Sequence, residues 1–356
     1  MMLRHVAARS KPHSPGRVRR TRRLSALAAA LLASSTVTQA GQPTRSVAIP
    51  GDGGWDYAKV DEVGRRLYVA HGDSVAVVDL ASGRVLPPLA PVSHAHAVVP
   101  LGTGEVAVTS GGDDSVRFFD RASGRQVASV PVGAKPDAAI IDPVTGHLLS
   151  IDADGGDVAE IDPVAHRAVR TIPVAKALEY AAIEGRTLFI NDEDRNEVEV
   201  VDLTRGVALA PIPLPGCDAP TGLGLDAVHR RLISACANGV AAIVDIAQRR
   251  VTQRVPIGRG PDAVIVDAGR SLAFIPAGKD GVVDVLSLRR AGGVARVRST
   301  PTAIGARTGA LDATTGILWF PVARLMPAAV HTRPSAVPGT FRVIAVDPSR
   351  STPVKR

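Results

Sequence analysis

Asp56, His96, Asp137, Glu179, Thr221, Asp262 and Arg307 recur at intervals of 40 to 45 residues. Each stands five residues before an Asp, or its equivalent, at the end of a short apolar run. Drawn to one place, four carboxylates, an imidazole, a hydroxyl and a guanidinium would favour a cation. Facing carboxylates repel one another unless a cation, a proton or an arginine intervenes. Oxygen ligands with one histidine suit Ca²⁺, Mn²⁺ or Zn²⁺, and the candidate ligands are Asp56, His96, Asp137, Glu179 and Asp262. The same set could instead run acid–base chemistry, with His96 or Glu179 carrying the proton and Arg307 stabilising an oxyanion. Against both stands ordinary turn chemistry: in Pro136-Asp137 and Pro261-Asp262 the Asp side chain can bond backbone two residues on.

Of only five Trp and Tyr residues, Trp55, Tyr57 and Tyr180 flank these positions. They would either line a surface for an organic ligand or plug the middle of the fold. His94, two before His96, is either a second ligand or a turn residue. Other motifs read as turns. Asp152-Ala-Asp154-Gly-Gly-Asp157 lacks the Glu at the twelfth place of a calcium loop. Gly72-Asp73-Ser74 has no partner His implied by spacing, and the chain has no Gly-x-Ser-x-Gly elbow, phosphate loop or His-Glu-x-x-His.

Whatever positions the seven residues must itself be repetitive. Val75-Ala-Val-Val-Asp79-Leu-Ala-Ser-Gly83 is echoed at Asp120, Asp162, Asp202, Asp245, Ser287 and Asp347, with spacings of 41, 42, 40, 43, 42 and 60. Each unit holds four short apolar runs between turns. In the third these are Ala138–Ile141, His147–Ile151, Val158–Ile161 and Ala168–Val174. Four strands in about 42 residues describe a β-propeller blade. The expectation is an all-β, seven-bladed propeller, with a solenoid as the competitor. The last unit ends at its third strand, Arg342–Val346, and the missing fourth lies at Arg45-Ser-Val-Ala-Ile-Pro50, so an N-terminal strand would complete the last blade. Closure removes exposed sheet edges.

Val132-Gly133-Ala-Lys-Pro136-Asp137 and Ile257-Gly258-Arg-Gly-Pro261-Asp262 each lead into an apolar strand. They resemble the Gly-x-x-Pro signature of YVTN-repeat (YncE-like) seven-bladed propellers, over nearly everything after residue 40. The eponymous Tyr-Val-x-x survives only as Tyr68-Val69-Ala70-His71; Leu188–Asn191 and Leu232–Ala235 take its place elsewhere. The resemblance implies a closed propeller outside the cytoplasm and no particular activity. The mouth arrangement also resembles that of propeller lyases and lactonases, which implies a metal with His96 or Glu179 as acid–base. A further likeness, to the propeller chains of quinoprotein dehydrogenases, implies a redox subunit whose cofactor belongs to a partner.

Residues 1–40 carry eight Arg and Lys and no acid, then the apolar run Leu24–Leu32 and Thr38-Gln39-Ala40 before Gly41. This is the pattern of a secretory signal peptide, leaving a single domain at 41–352 that is exported to a periplasm or secreted. No later stretch approaches the ~20 apolar residues of a spanning helix. The leader also explains the net charge of +8: removing its eight bases from 42 leaves 34, against 34 acids. A neutral mature chain gives nucleic-acid binding no support. Cys217 and Cys236, the only cysteines, are expected to pair in an oxidising space.

Turns on the mouth side carry Asp73, Asp113, Asp114, Asp154, Asp157, Asp192, Glu193, Asp194 and Asp280, and those on the other side are rich in Arg. The result is a disc, acidic at the mouth and basic below, or simply a set of soluble turns. Residues 323–339 interrupt the last unit and carry Met326, His331 and Arg333; such an insertion is either a lid or disordered. The sum is a non-catalytic binding or scaffold protein taking a small ligand, ion or protein partner at its mouth, with the metal-assisted enzyme as the alternative.

Overall fold

A computed structural model describes residues 45–289, 293–327 and 334–350. The predicted leader, His331 and Arg333 lie outside these residues. Seven four-stranded antiparallel sheets follow one another along the chain. Blade 1 is Trp55–Asp61, Arg66–His71, Ser74–Asp79 and Val85–Leu89, and the next five blades repeat the order. Blade 7 takes Ala310–Asp312, Ile317–Val322 and Arg342–Val346 from the C-terminal part, and its fourth strand is Arg45–Ala48. That strand pairs antiparallel with Arg342–Val346, Arg45 facing Ala345 and Ala48 facing Arg342. The chain is therefore a seven-bladed β-propeller closed by its own N-terminal strand.

The core is divided as the repeat demands. Seven hydrophobic clusters each sit between neighbouring blades, the last joining Trp319 and Val343 of blade 7 to Val60 and Leu67 of blade 1. Alternation along each strand sends Val, Ile, Leu and Ala to both faces, so one sheet packs on two neighbours. The first strands of successive blades touch in a closed ring. They line the centre.

At the ends of the blade 1 and blade 7 inner strands an Asp turns the chain and ties it to a neighbour. Asp61 accepts from the backbone N–H groups of Val63 and Gly64 and from Arg121 of blade 2. Asp312 is held by both Nη atoms of Arg65, at 2.9 and 2.6 Å, across the blade 7–blade 1 junction. Arg65, Arg121 and Arg231 of this face are thus spent on the buried carboxylates of Asp312, Asp61 and Asp226. On the mouth side, Asp73, Asp114 and Asp280 accept from the backbone N–H of His94, Lys135 and Arg259. Asp73, in the Gly-Asp-Ser turn, does structural work, as does Asp152, which accepts from Ser150 and Gly133. Cys217 and Cys236 form a disulfide with Cα atoms 5.3 Å apart, bolting the loop before blade 5's inner strand to its second strand. No helix among the described residues is long and apolar enough to cross a membrane.

Candidate functional site

The inner strands do not begin as plain ladder. Pairing with the second strand skips from Trp55 to Ala58, Ala95 to Val98, Pro136 to Ala138, Leu178 to Ala181 and Pro220 to Leu223. Asp56, His96, Asp137, Glu179 and Thr221 sit inside these five irregularities. A bulge leaves its extra residue unpaired and re-aims the side chain. In every blade but the first, the chain reaches the counted position through a left-handed residue two positions earlier, at His94, Lys135, Ala177, Ala219, Gly260 and Gly305 (φ from +47° to +92°). His94 is thus a turn residue, with its ring 4.5 Å from that of His96. In blades 6 and 7 the inner strand is only Ile265–Asp267 and Ala310–Asp312, so Asp262 and Arg307 stand on the loops ahead of it.

Three of the seven meet directly. His96 Nδ1 is 2.7 Å from Asp56 Oδ2 and 3.2 Å from Asp137 Oδ1. All three side chains are largely buried, whereas His96 Nε2 is sealed from solvent and has no hydrogen-bond partner. Burial, and then the charge of Asp56, push the Asp137 carboxyl up to about 7. Burial pulls the His96 imidazole down, but the hydrogen bond to Asp56 and the charges of Asp137 and Asp56 outweigh it and the net shift is upward. Beside them, burial and the charges of Asp137 and Asp262 push Glu179 to about 10. The mouth therefore holds more carboxylate than it can ionise without a cation.

Arg307 answers part of that charge. Its Nε donates to Asp262 Oδ2 at 2.7 Å and its Nη2 to the Trp55 carbonyl at 2.7 Å. The guanidinium carbon stands 5.7 Å from the centre of the Trp55 ring. Trp55 itself packs on Phe341, just past the blade 7 insertion, and is buried. Tyr57 is buried against Tyr180, ring centres 4.9 Å apart. Burial and the surrounding Asp and Glu charges raise the Tyr57 phenol well above its ordinary value. Two of the three aromatics are thus consumed by packing, Trp55 in the blade 7–blade 1 cluster and Tyr57 against Tyr180, and only the half-buried Tyr180 keeps surface for a ligand. Thr221 turns aside as well, its hydroxyl donating to the Pro261 carbonyl of the next blade at 3.0 Å.

Two supporting positions escape a reading based on side-chain chemistry. A Cβ on Gly111 would lie 2.7 Å from both Cδ2 and Nε2 of His96, so only glycine lets the imidazole seat there. Thr308 Oγ1 donates to the Asp56 carbonyl at 2.8 Å and pins the blade 7–blade 1 joint beneath the trio. The blade 7 insertion begins as a short ladder in which Met326 N donates to Ser335 O and Val337 N to Arg324 O, both 2.8 Å. Its far end is tied to the mouth by Gly339 N donating to Asp52 Oδ1.

No family model and no curated protein matches the chain. Among solved structures it is similar to the WD40 repeats of RRP9, with TM-score 0.71, 13% identity and coverage of 86% of this chain and 99% of that one. A chain of the mitotic checkpoint complex gives 0.69 and 16% identity over 92% and 99%. Hydrazine synthase of Kuenenia stuttgartiensis gives 0.68 and 15% identity over 78% and 94%. Likeness at this identity shows the fold and nothing finer.

Proposed function

We propose that this chain is an exported propeller of the YVTN type that acts by binding, and that its ligand is held through a divalent cation at the mouth. One observation carries the reading: His96 Nδ1 lies 2.7 and 3.2 Å from carboxylate oxygens of Asp56 and Asp137, on bulges that aim all three together. An imidazole between two carboxylates favours a borderline ion, Mn²⁺ or Zn²⁺, over Ca²⁺. Glu179 and the Asp262–Arg307 pair stand beside it to meet the polar groups of a small ligand or partner.

The test is the melting temperature of the purified protein in EDTA and then in excess Mn²⁺, Zn²⁺ or Ca²⁺. An ion at ~100 times its dissociation constant adds about 2.7 kcal/mol, roughly 4 °C for a domain of this size. A shift with Mn²⁺ or Zn²⁺ that disappears in Asp137→Asn is the expected result. No shift with either ion would remove the cation from the reading.

A second reading, a metal-assisted lyase or lactonase-type enzyme, is favoured by the Asp56–His96 hydrogen bond, which would orient the imidazole as a proton carrier. It requires that His96→Ala abolish turnover of a hydrolysable or eliminable substrate while the melting temperature stays within a few degrees.

A further inference from the structure

Apart from the ring, a second group of acids stands on the mouth-side hairpin of blade 4. Asp192 ends the strand Thr187–Asp192, and Glu197 and Glu199 lie on Glu197–Asp202. One oxygen from each of the three lies within 4.8 Å of the others. Asp192 and Glu197 are direct cross-strand partners, an arrangement that like charges disfavour. The Asp192 side chain is fully buried. Its Oδ1 accepts from Arg195 N at 2.8 Å, but its Oδ2 is sealed from solvent and accepts no hydrogen bond. A buried carboxylate oxygen without a donor is rare and calls for a partner. Arg195 supplies only a loose ion pair: its Nη1 lies 3.6 Å from Asp192 Oδ2 and 3.5 Å from Glu199 Oε1 without a hydrogen bond to either, and its side chain is 58% exposed.

We propose that Asp192, Glu197 and Glu199 form a calcium site at the rim of the propeller mouth. The donors are all carboxylate oxygens, with no imidazole or thiolate to draw a softer ion. Ca²⁺ accepts irregular oxygen sets and completes its shell with water, whereas Mg²⁺ demands a near-ideal octahedron. The half-exposed Glu197 leaves an open side for that water. In the bound state Arg195 swings into solvent and the ion replaces it between Asp192 and Glu199. Three protein ligands place the affinity in the weak class, with a dissociation constant on the order of 10⁻⁴ to 10⁻³ M. The site is independent of the His96 trio, and the two differ in the ion each prefers.

The experiment is a set of thermal melts of the purified protein, stripped with EDTA, in Ca²⁺ or Mg²⁺ at about 10 mM, roughly ten times the upper dissociation constant. Ca²⁺ is expected to raise the melting temperature by a few degrees and Mg²⁺ by clearly less. Glu199→Gln and Glu197→Gln are expected to weaken the apparent Ca²⁺ affinity at least ten-fold, whereas Asp137→Asn leaves it unchanged. Glu197 is half-exposed, so its variant reports even where loss of Glu199 disturbs the fold. The proposal is overturned if Ca²⁺ does no more than Mg²⁺, or if the Ca²⁺ shift survives in both glutamine variants. A Ca²⁺ shift lost only in Asp137→Asn would overturn it too, by assigning the ion to the mouth. Failure of the mouth reading looks different: Mn²⁺ and Zn²⁺ then give no shift while the Ca²⁺ pattern stands.

Discussion

Replacing Asp137 with asparagine removes a charge from the mouth while keeping the shape of the side chain, and its effect should depend on pH in a calculable way. The folded protein holds the Asp137 proton up to about pH 7, whereas the unfolded chain releases it near the ordinary 3.8. Between those values the folded state binds the extra proton, so stability falls as pH rises. His96 acts in the same direction: its imidazole, raised in the fold, contributes stability at low pH that is lost as pH rises through its folded value. About two of Asp137's three units lie between pH 5 and 8, worth ~3 kcal/mol at about 1.4 kcal/mol each. At ~2.1 cal/mol/K per residue over ~310 residues, that is roughly 4 °C. In EDTA, the melting temperature of Asp137→Asn relative to wild type should therefore climb by about that much from pH 5 to pH 8. Glu179, pushed from 4.5 to about 10, holds its own extra proton across the whole of pH 5 to 8, so it steepens the fall in both proteins and leaves the difference between them readable. Added Mn²⁺ or Zn²⁺ at pH 8 should reverse the order, because only wild type keeps both carboxylates. A difference that stays constant from pH 5 to 8 would show that Asp137 titrates as an ordinary surface acid, and the argument for a crowded mouth would fail with it.

Two further outcomes test the supporting structure. Gly111→Ala places a methyl 2.7 Å from the His96 ring and should cost ~1–3 kcal/mol as overpacking. It should also abolish the Mn²⁺ or Zn²⁺ shift, because the imidazole must leave Asp56; an intact ion shift would mean that His96 is no ligand. Reducing the Cys217–Cys236 bond should lower stability by ~3 kcal/mol, since it opens a loop of roughly 20 residues. Melts with and without reductant check this, and Cys217→Ser should reproduce the reduced value.

The architecture was legible because it is written seven times. A blade needs four apolar runs separated by turns, and the Asp79, Asp120, Asp162, Asp202 and Asp245 positions mark the same place in successive units. Errors in one copy are corrected by the others. Blade 3, read as Ala138–Ile141, His147–Ile151, Val158–Ile161 and Ala168–Val174, forms Pro136–Ile141, Leu148–Asp152, Asp157–Asp162 and Arg167–Pro173. Closure was legible for the same reason: a unit that stops after Arg342–Val346 leaves an unpaired edge, and Arg45–Ala48 covers it.

The site was legible only in outline, because spacing places Cα atoms and says little about where side chains turn. Counting back from the Asp at each inner strand's end finds all seven positions. It cannot show that bulges divide them, bringing Asp56, His96 and Asp137 into contact while Thr221 bonds to Pro261. Nor does it show that Trp55 and Tyr57 are consumed by packing. Gly111 was invisible because its part is to have no side chain. Of the Asp192–Glu197–Glu199 group, only Asp192 stands out in the sequence, as one acid among the mouth-side turns, although hairpin register does carry a signal. A six-residue strand ending in Asp192 and a turn of Glu193 to Asn196 put Glu197 opposite Asp192. Two acids forced face to face, one of them buried, is a cost that packing alone does not explain. The mouth trio and the rim group thus pose one physical question, what neutralises carboxylates that the fold has crowded together, and their ligand chemistry points to different ions for each.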